Sequence, residues 1–353
     1  MVPAGEVFNF TKVWLSVFIS LSYCYAISKI TPKGFTRLFC VLPIICLFLF
    51  LPLKLFSIHL GGMTAFFLAW LTNFKLLLFA FGKGPLSSSN PPLSLPLFIA
   101  MACLPIKIQQ NPLSKSRKGH KSPLNYAIKC LLLAALLQAY NYNNYLHPKL
   151  ILVLYSFHIF FVLELSLAMV QALVRAPFGL ELEPQFDEPY LATSLQDFWG
   201  RRWNLMVTRV LRPTVYEPVL YISARAVGRK WAPLPGVFST FLVSAAMHEL
   251  IFYYLGRVRP TWEITWFFVF HGMCLMAEIA LKKVLADQNI MIKSRLTTVL
   301  RTMLTVGFVM VTSFWWFFPT LLRCNTDVRA FEEYAAVGAF VKDVGRALTF
   351  QPS

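Results

Sequence analysis

Eight long apolar runs limit this chain to one kind of fold. The runs span approximately residues 10–28, 37–53, 62–81, 126–141, 148–174, 234–255, 262–281 and 298–320. A hydrocarbon core about 30 Å thick is crossed by about 20 apolar residues in a helix, so each run fits one crossing. Only 14% of the residues are charged, against about 25% in soluble domains. The sequence therefore predicts an all-α polytopic membrane protein with about eight transmembrane helices plus re-entrant or interfacial helices.

Little of the chain is left over for a separate soluble domain. A ninth apolar run, residues 93–106, contains two prolines and is too short to cross comfortably, so we leave it out of the spans. We expect a single membrane domain over residues 1–353, with its core at 10–320 and a short polar C-terminal tail at 322–353.

Basic residues outnumber acidic ones by 33 to 16, which gives a net charge of +17. Lysines and arginines collect in the cytoplasmic loops of membrane proteins and contact anionic head groups. We therefore expect membrane lipids rather than nucleic acid as partners, and a phosphate-bearing substrate is also compatible. If the run 93–106 does not cross, the basic loops all lie in the cytoplasm and both termini lie across the membrane. Those loops are residues 28–36, 82–125, 175–233 and 282–297.

Motifs for metal or nucleotide binding are missing from the sequence. None of the seven cysteines forms a CxxC pair, so the spacing indicates neither a zinc site nor a disulfide framework. There is also no P-loop and no HExxH motif. We expect no metal and no resident cofactor, and the sequence leaves the oligomeric state open.

Residues 181–213 are too polar to cross a membrane and too aromatic for an ordinary loop. Thr193 or Ser194 is suited to cap a helix, and Pro213 is predicted to end it. That helix would present a polar stripe to a cavity, and the alternative is a simple interfacial helix anchored by its tryptophans. Four residues at helical spacing form the predicted stripe: Asp197, Arg201, Asn204 and Thr208.

A histidine lies well inside the sixth apolar run. His248 shares a helix face with Thr240 and Ser244, and Glu249 follows it directly. Ionisable side chains are expensive inside a bilayer and so favour a functional role, and an imidazole suits general-base chemistry near neutral pH. The alternative is a structural histidine whose ring is satisfied by Ser244 or by a backbone carbonyl.

Other polar residues within the apolar runs are weaker candidates. Each is compatible with packing, a helix-to-helix hydrogen bond or a cavity lining. They lie in the fifth and seventh runs: His158, Glu164, His271 and Glu278. The last two are seven residues apart and therefore face the same way. In the third run, we interpret Asn73 and Lys75 as packing and snorkelling residues.

Three stretches carry a resemblance to a known family. They are HLGGMTAFFLAWLTNFKLLLFAFGKGPL (59–86), PQFDEPYLATSLQDFWGRRWNLMV (184–207) and LVSAAMHEL (242–250). The chain resembles the membrane-bound O-acyltransferase family, and looks most like its plant wax synthase branch, over nearly its whole length. The resemblance implies an MBOAT-like fold in the endoplasmic reticulum membrane, with His248 as the catalytic histidine and Asn204 as its partner across a membrane-buried tunnel. The segment 199–203 is longer than the compact motif of the diacylglycerol acyltransferases, which favours the wax synthase branch and leaves the acceptor open.

The same residues fit direct acyl transfer from a thioester to an alcohol. His248 would take the hydroxyl proton, and the amide of Asn204 would donate to the charge that develops on the carbonyl oxygen. No Ser or Cys nucleophile with a paired base is visible, so we expect no acyl-enzyme. We expect the other substrate contacts from residues around these two: Asp197, Trp199, Arg201, Arg202, Trp203, Ser244, Glu249 and His271.

The expected function is that of an acyl-CoA-dependent O-acyltransferase that joins a fatty acyl group to a long-chain alcohol to make a wax ester. Acyl-CoA is a co-substrate here, and the lipid alcohol is the second partner. A sterol O-acyltransferase or a diacylglycerol acyl- or acetyltransferase is the alternative within the family. From other classes, we keep a proton-coupled transporter that uses the intramembrane His and Glu residues as a relay, and a non-catalytic scaffold. The lack of an internal repeat weakens the transporter alternative.

Overall fold

The computed structural model describes residues 5–87, 93–106, 123–178, 184–288 and 297–349. Over these residues the chain is helical, with no strand. The basic, Ser-rich segment 109–122 lies outside the described residues. The α-helices are α1 (Glu6–Ile30), α2 (Phe35–Phe50), α3 (Ile58–Ala65), α4 (Asn73–Ala80), α5 (Leu95–Cys103), α6 (Pro123–Ala139), α7 (Pro148–Phe178), α8 (Leu195–Asp197), α9 (Leu205–Leu211), α10 (Glu217–Trp231), α11 (Pro233–Gly256), α12 (Glu263–Asp287), α13 (Thr298–Arg323) and α14 (Thr326–Thr349).

Shorter helical turns of other types join some of these helices. The π-helices, which have wider turns than an α-helix, are Phe66–Thr72, Phe198–Arg202 and Arg212–Tyr216. The 3₁₀ turns are Leu51–Lys54, Tyr140–Tyr145 and Pro189–Leu191. Because the first π-helix continues directly from α3 into α4, the three together form one long helical run.

Eight helical runs within the described residues are long and apolar enough to cross a membrane, as the sequence predicts. In lipid, every backbone polar group needs an internal partner, and a helix supplies one. The spans are Glu6–Ile30, Phe35–Lys54, Ile58–Ala80, Pro123–Tyr145, Pro148–Arg175, Pro233–Gly256, Glu263–Ala286 and Thr298–Arg323. The ninth apolar run contains only α5, a helix of 9 residues, so leaving it out of the spans is consistent with the structure.

The chain divides into two compact units. The first unit takes Met1–Cys103, Ser244–Trp266 and Pro319–Ser353, and the second takes Leu104–Val243 and Phe267–Phe318. His248 therefore belongs to the first unit, whereas Asn204 belongs to the second.

The core of the first unit is the span Ile58–Ala80, most of whose residues are buried. Polar side chains in this span bind backbone carbonyls of its neighbours. Asn73 donates to the carbonyl of Ile45 at 3.1 Å, and the Lys75 ammonium donates to the carbonyl of Met101 at 2.8 Å, near the end of α5. The interpretation of Lys75 as a snorkelling residue is wrong, because its side chain is buried and satisfies carbonyls at a helix end instead of reaching water.

The segment expected to be a polar tail contains α14, whose first half packs on α3. Glu333 of α14 accepts hydrogen bonds from the amide of Ile58 at 2.6 Å and from the Ser57 hydroxyl at 2.9 Å. It also contacts Nδ1 of His59 at 2.7 Å, and the other nitrogen of that ring lies 3.0 Å from the Tyr334 hydroxyl. A carboxylate at the first turn of α3 complements the partial positive charge of the helix N-terminus.

In the second unit, a buried ion pair joins α6 to α7. The Lys129 ammonium lies 2.7 Å from a carboxylate oxygen of Glu164, and each side chain is less than a tenth exposed. His158 is also buried, and its ring lies 5.7 Å from that of Tyr140. Both candidates in the fifth span therefore make contacts between helices, one of the three roles that the sequence allows for them.

Candidate active site

The polar segment of the second unit does not form the single helix that the sequence predicts. Ser194 caps α8 by accepting from the amide of Asp197 at 3.1 Å, but α8 is one turn long and gives way to the π-helix Phe198–Arg202. The chain then breaks at Trp203 and Asn204 before α9 begins. The predicted stripe of Asp197, Arg201, Asn204 and Thr208 is therefore wrong, because the break at Asn204 removes the regular helical spacing.

Pro213 does not end a helix either. It lies at the start of the π-helix Arg212–Tyr216, which runs on into α10. A proline is tolerated in the first turn of a helical segment, where its missing amide hydrogen is not needed. The prediction that this proline ends the helix is wrong for that reason.

Asn204 sits at the break in a left-handed backbone conformation, with φ 44° and ψ 59°. Asparagine adopts this conformation more readily than most residues. Its side-chain oxygen caps α9 by accepting from the amide of Val207 at 3.4 Å, and the next amide, of Leu205, donates to the carbonyl of Gln185 at 2.9 Å. With the oxygen used as a cap, the amide nitrogen of the side chain is the group left to act as a donor.

Asp197 and Arg202, both predicted to contact substrate, bind one another. The Arg202 Nε donates to a carboxylate oxygen of Asp197 at 2.9 Å. The same guanidinium also donates to the carbonyls of Asp187 and Glu188 at 3.1 and 3.2 Å. These contacts tie the turn before α8 to the π-helix, whereas the neighbouring Arg201 is exposed.

Trp199 is anchored to the seventh span through a histidine. Its indole Nε1 donates to Nδ1 of His271 at 3.1 Å, and Nε2 of that ring lies 2.9 Å from the Thr312 hydroxyl. Because an indole nitrogen only donates, Nδ1 must be the acceptor, so His271 is neutral and carries its proton on Nε2. His271 is fully buried. The structure therefore gives His271 a defined tautomer and makes it a direct partner of Trp199.

Aromatic rings fill the space around the π-helix. Trp203 stacks on Phe198, with centroids 5.5 Å apart and 14° between the planes, and packs on Phe186 at 4.7 Å. Trp199 makes an edge contact with Phe241 of α11 at 5.6 Å and a tilted contact with Phe268 of α12 at 6.0 Å. Such pairs stabilise a fold beyond the area they bury, so both tryptophans hold the segment in place.

A third anchor comes from Glu278. Its carboxylate accepts from the amide of Leu195 at 2.9 Å and from that of Gln196 at 3.4 Å, which satisfies the first turn of α8. The prediction that His271 and Glu278 face the same way is confirmed, because both contact the segment 195–199. The sequence placed His271 among the expected substrate contacts together with Trp199, but it predicted neither their hydrogen bond nor the contact of Glu278 with this segment, since spacing along one helix does not identify the partner.

His248 lies in the first unit, on α11. Its Nδ1 is 2.7 Å from the backbone carbonyl of Ser244, and a carbonyl only accepts, so Nδ1 carries a proton; in the neutral ring, Nε2 then carries the lone pair. The alternative that a backbone carbonyl satisfies one ring nitrogen is therefore confirmed. It does not exclude a catalytic role, because a fixed Nδ1 proton orients Nε2 as a base.

Two neighbours complete the surroundings of His248. Glu249 is buried and accepts from the amide and hydroxyl of Thr265 at 3.1 and 3.0 Å, near the start of α12. Trp70 makes an edge contact with the imidazole, with ring centroids 5.1 Å apart and 86° between the planes. Trp70 is part of the stretch 59–86 that carries the family resemblance, but nothing in the sequence indicates that it lies beside His248.

Across the described residues, no cluster of three or more His, Cys, Asp or Glu side chains is arranged to hold a metal ion. The polar groups near His248 in the first unit and those near Asn204 in the second unit, each taken by itself, are hydrogen-bond donors and acceptors, and His248 adds a ring base. Such groups suit proton transfer and the binding of oxygen atoms.

Comparison with known proteins identifies the class. A family model described as the membrane bound O-acyl transferase family matches residues 182–270. The chain is 50% identical over 345 residues to acyl-CoA–sterol O-acyltransferase 1 of Arabidopsis thaliana, covering 97% of this chain and 98% of that one. It is 49% identical over 338 residues to probable long-chain-alcohol O-fatty-acyltransferase 3 of the same plant, covering 96% of each. It is 45% identical over 338 residues to the long-chain-alcohol O-fatty-acyltransferase of Simmondsia chinensis, covering 93% of this chain and 94% of that one.

The chain belongs to the membrane-bound O-acyltransferase family. It is therefore an acyltransferase embedded in a membrane by several spans, and its substrates are an acyl donor and a lipid acceptor. An enzyme of this class is expected from the sequence, and the transporter and scaffold alternatives are not supported.

Proposed function

We propose that this enzyme transfers a fatty acyl group from acyl-CoA to a long-chain alcohol and so makes a wax ester in the endoplasmic reticulum membrane. Relatives named as long-chain-alcohol O-fatty-acyltransferases support this acceptor, at 49% and 45% identity over nearly the whole chain. A sterol is the second candidate acceptor, because the sterol O-acyltransferase of Arabidopsis thaliana is 50% identical.

The observation that carries the proposal is the state of His248. An imidazole inside a membrane span, with Nδ1 hydrogen-bonded to the Ser244 carbonyl at 2.7 Å, presents Nε2 as a base. Nε2 takes the proton of the alcohol, and the alcohol oxygen attacks the thioester carbon. The carbon–sulfur bond then breaks, and the departing thiolate takes the proton from His248, which gives an ester and free coenzyme A. The proton and the electron pairs balance without any added cofactor, and we propose none.

Asn204 acts in this mechanism as a donor to the thioester oxygen. Its backbone conformation and its cap on Val207 fix the side chain, so that the amide nitrogen is pre-oriented and does not need to reorganise during the reaction. The contacts of Asp197, Trp199 and Glu278 hold in place the segment that contains Asn204. We propose that these three residues position Asn204 and do not themselves touch the reacting atoms.

The charged end of acyl-CoA needs basic side chains. Arg201 is exposed, while the guanidinium of Arg202 is engaged with Asp197 and two carbonyls. We therefore propose Arg201 as the contact for the coenzyme A phosphates and Arg202 as part of the scaffold. The acyl chain and the alcohol are apolar, which suits a site between helices in a bilayer.

A competition assay tests the acceptor. Microsomes from yeast that lacks its own neutral-lipid acyltransferases and expresses this chain are given labelled palmitoyl-CoA with equal amounts of fatty alcohol, sterol and diacylglycerol. Wax ester should be the main labelled product. Steryl ester as the main product would replace the proposed acceptor by the second candidate. Labelled ester from none of the acceptors, with the chain well expressed, would contradict the proposed function.

A further inference from the structure

Trp70 lies against the proposed base from within an unusual helical segment. It belongs to the π-helix Phe66–Thr72 in the core of the first unit, and only 1% of its surface is exposed. Its ring meets that of His248 edge to face, with centroids 5.1 Å apart. Wide π turns are rare, and they occur often at functional sites, where they re-aim a side chain. The hydroxyl of Thr72 donates to the carbonyl of Phe67 at 2.8 Å, five residues back, which stabilises the wide turn.

The indole nitrogen of Trp70 is buried and has no acceptor among the residues that the structure describes. Two other tryptophans show the usual arrangement. Trp14 donates to the Thr64 hydroxyl at 3.4 Å, and Trp199 donates to His271 at 3.1 Å. A buried donor without a partner lowers the stability of the folded protein, so native structures keep few of them and those few often have a role. A phenylalanine would fill much of the same space without this penalty.

We propose that the indole N–H of Trp70 donates a hydrogen bond to the carbonyl oxygen of the acyl thioester while the acyl group is transferred. The inference rests on the proposed function, because it takes His248 as the base. A hydrogen-bond donor stabilises the transition state when it binds the atom on which negative charge develops. In acyl transfer from a thioester, that atom is the carbonyl oxygen of the thioester.

The chemistry of the indole selects this oxygen over that of the alcohol. A hydrogen bond donated to the alcohol oxygen would draw electron density from the nucleophile that His248 activates. Donated to the thioester oxygen, it strengthens as the carbon–oxygen double bond becomes single, and it returns to its earlier strength when the carbon–sulfur bond breaks. Trp70 neither gives up nor takes a proton in this step, since an indole N–H only donates.

The test removes the N–H and keeps the ring. Benzothienylalanine, which has sulfur in place of the indole nitrogen, is placed at position 70 by nonsense suppression, and Trp70→Phe is made beside it. The control is Trp14→Phe, which removes an N–H that has a protein partner in the same unit. Purified variants are compared for kcat, for KM of palmitoyl-CoA and for the amount of folded protein. We expect kcat to fall about tenfold or more with benzothienylalanine, with KM and folding unchanged, and we expect full activity from Trp14→Phe.

Each outcome decides the inference. Full kcat with benzothienylalanine at position 70 would overturn it, and so would a rise in KM without a loss of kcat, because a donor to the developing charge acts on the chemical step. If Trp70→Phe fails to fold, the benzothienylalanine variant decides alone. Retained turnover in His248→Ala would overturn the proposed mechanism itself. An inactive His248→Ala beside a fully active benzothienylalanine variant would remove only the role of Trp70.

Discussion

At the residue scale, the side chains around the break at Asn204 divide into anchors and one donor. Asp197 binds Arg202, Trp199 binds His271, and each of these contacts joins protein to protein. The side-chain oxygen of Asn204 caps α9, whereas the side-chain amide nitrogen is the donor that we assign to the substrate. The left-handed backbone conformation of Asn204 holds both groups in place. A substitution at this position therefore has to separate the donor from the cap and the backbone.

Asn204→Asp makes that separation. Aspartate also tolerates the left-handed region and keeps an oxygen for the Val207 amide, but it replaces the donor by a negative charge. We expect turnover to fall about a hundredfold or more, as when one oxyanion donor is lost, while thermal unfolding in detergent stays near that of the natural protein. Asn204→Gly, which keeps the backbone conformation without any side chain, should also be strongly impaired. Full turnover in either variant would exclude Asn204 as the donor.

His271 gives a second prediction at this scale. His271→Leu leaves the indole N–H of Trp199 buried without its acceptor, which should lower the free energy of unfolding by about 1–3 kcal/mol and reduce turnover by loosening the anchored segment. His271→Gln offers an amide oxygen to Trp199 and should recover part of both. Thr305→Val is the control, because among the described residues the Thr305 hydroxyl donates within its own helix, to the carbonyl of Arg301. Melting curves and turnover of His271→Leu equal to those of the natural protein would show that Trp199 does not need this anchor.

The functional roles of single residues could be predicted only where their chemistry or the family resemblance pointed to them. His248 and Asn204 come from the resemblance, and the expense of an ionisable group in a span supports the first. The tautomers of His248 and His271 and the unpartnered indole of Trp70 depend on which groups the fold brings within hydrogen-bonding distance. The spacing of residues along the sequence does not show which groups become hydrogen-bonding neighbours in the fold.

At the element scale, the structure departs from prediction where the helix is irregular. The polar stripe assumed 3.6 residues per turn through the segment 197–208, but a π-helix and a left-handed residue interrupt it. Local sequence favoured a regular helix, whereas the irregular segment is held by contacts to α12 and to the residues that precede α8. The cap at Ser194 was predictable because it depends on neighbours in the chain.

The docking of α14 on α3 gives a prediction of pH dependence. Burial raises the pKa of Glu333, but hydrogen bonds from the His59 ring and from the amides of Ile58 and His59 outweigh it, and the pKa lies below its ordinary value of 4.5. A lowered carboxylate pKa stabilises the folded state above the unfolded value, and this contribution is lost as pH falls through the folded value. The protection of the α14 amides against hydrogen exchange, measured relative to the exchange rate of unfolded chain at the same pH, should therefore fall below about pH 4.5.

The control for this prediction is on the same helix. Glu333→Gln should show lower protection of the α14 amides already at neutral pH, with little further loss of protection on acidification, because the ionised carboxylate is gone. Glu332→Gln, at the exposed neighbouring position, should behave like the natural protein. Equal acid dependence in Glu333→Gln and in the natural protein would assign the effect to another group.

At the scale of the whole molecule, hydropathy was sufficient to predict the eight spans, because a bilayer admits only helices or closed barrels and a helix needs a run of fixed length. The acceptor was not predictable in the same way. Alcohol, sterol and diacylglycerol demand the same base and the same donor, and they differ in the shape of the cavity that receives them. Sequence motifs identify the residues of the shared chemistry, but they do not predict the shape of the cavity.

Ester formation by His248→Ala decides whether His248 is the base that activates the alcohol. Purified natural protein, His248→Ala and the control His147→Ala, which changes an exposed histidine outside the site, are compared at equal amounts of folded protein with labelled palmitoyl-CoA and fatty alcohol. We expect wax ester from the natural protein and from His147→Ala, and none above background from His248→Ala. Ester formation by His248→Ala at the natural rate would contradict the claim that His248 is the base.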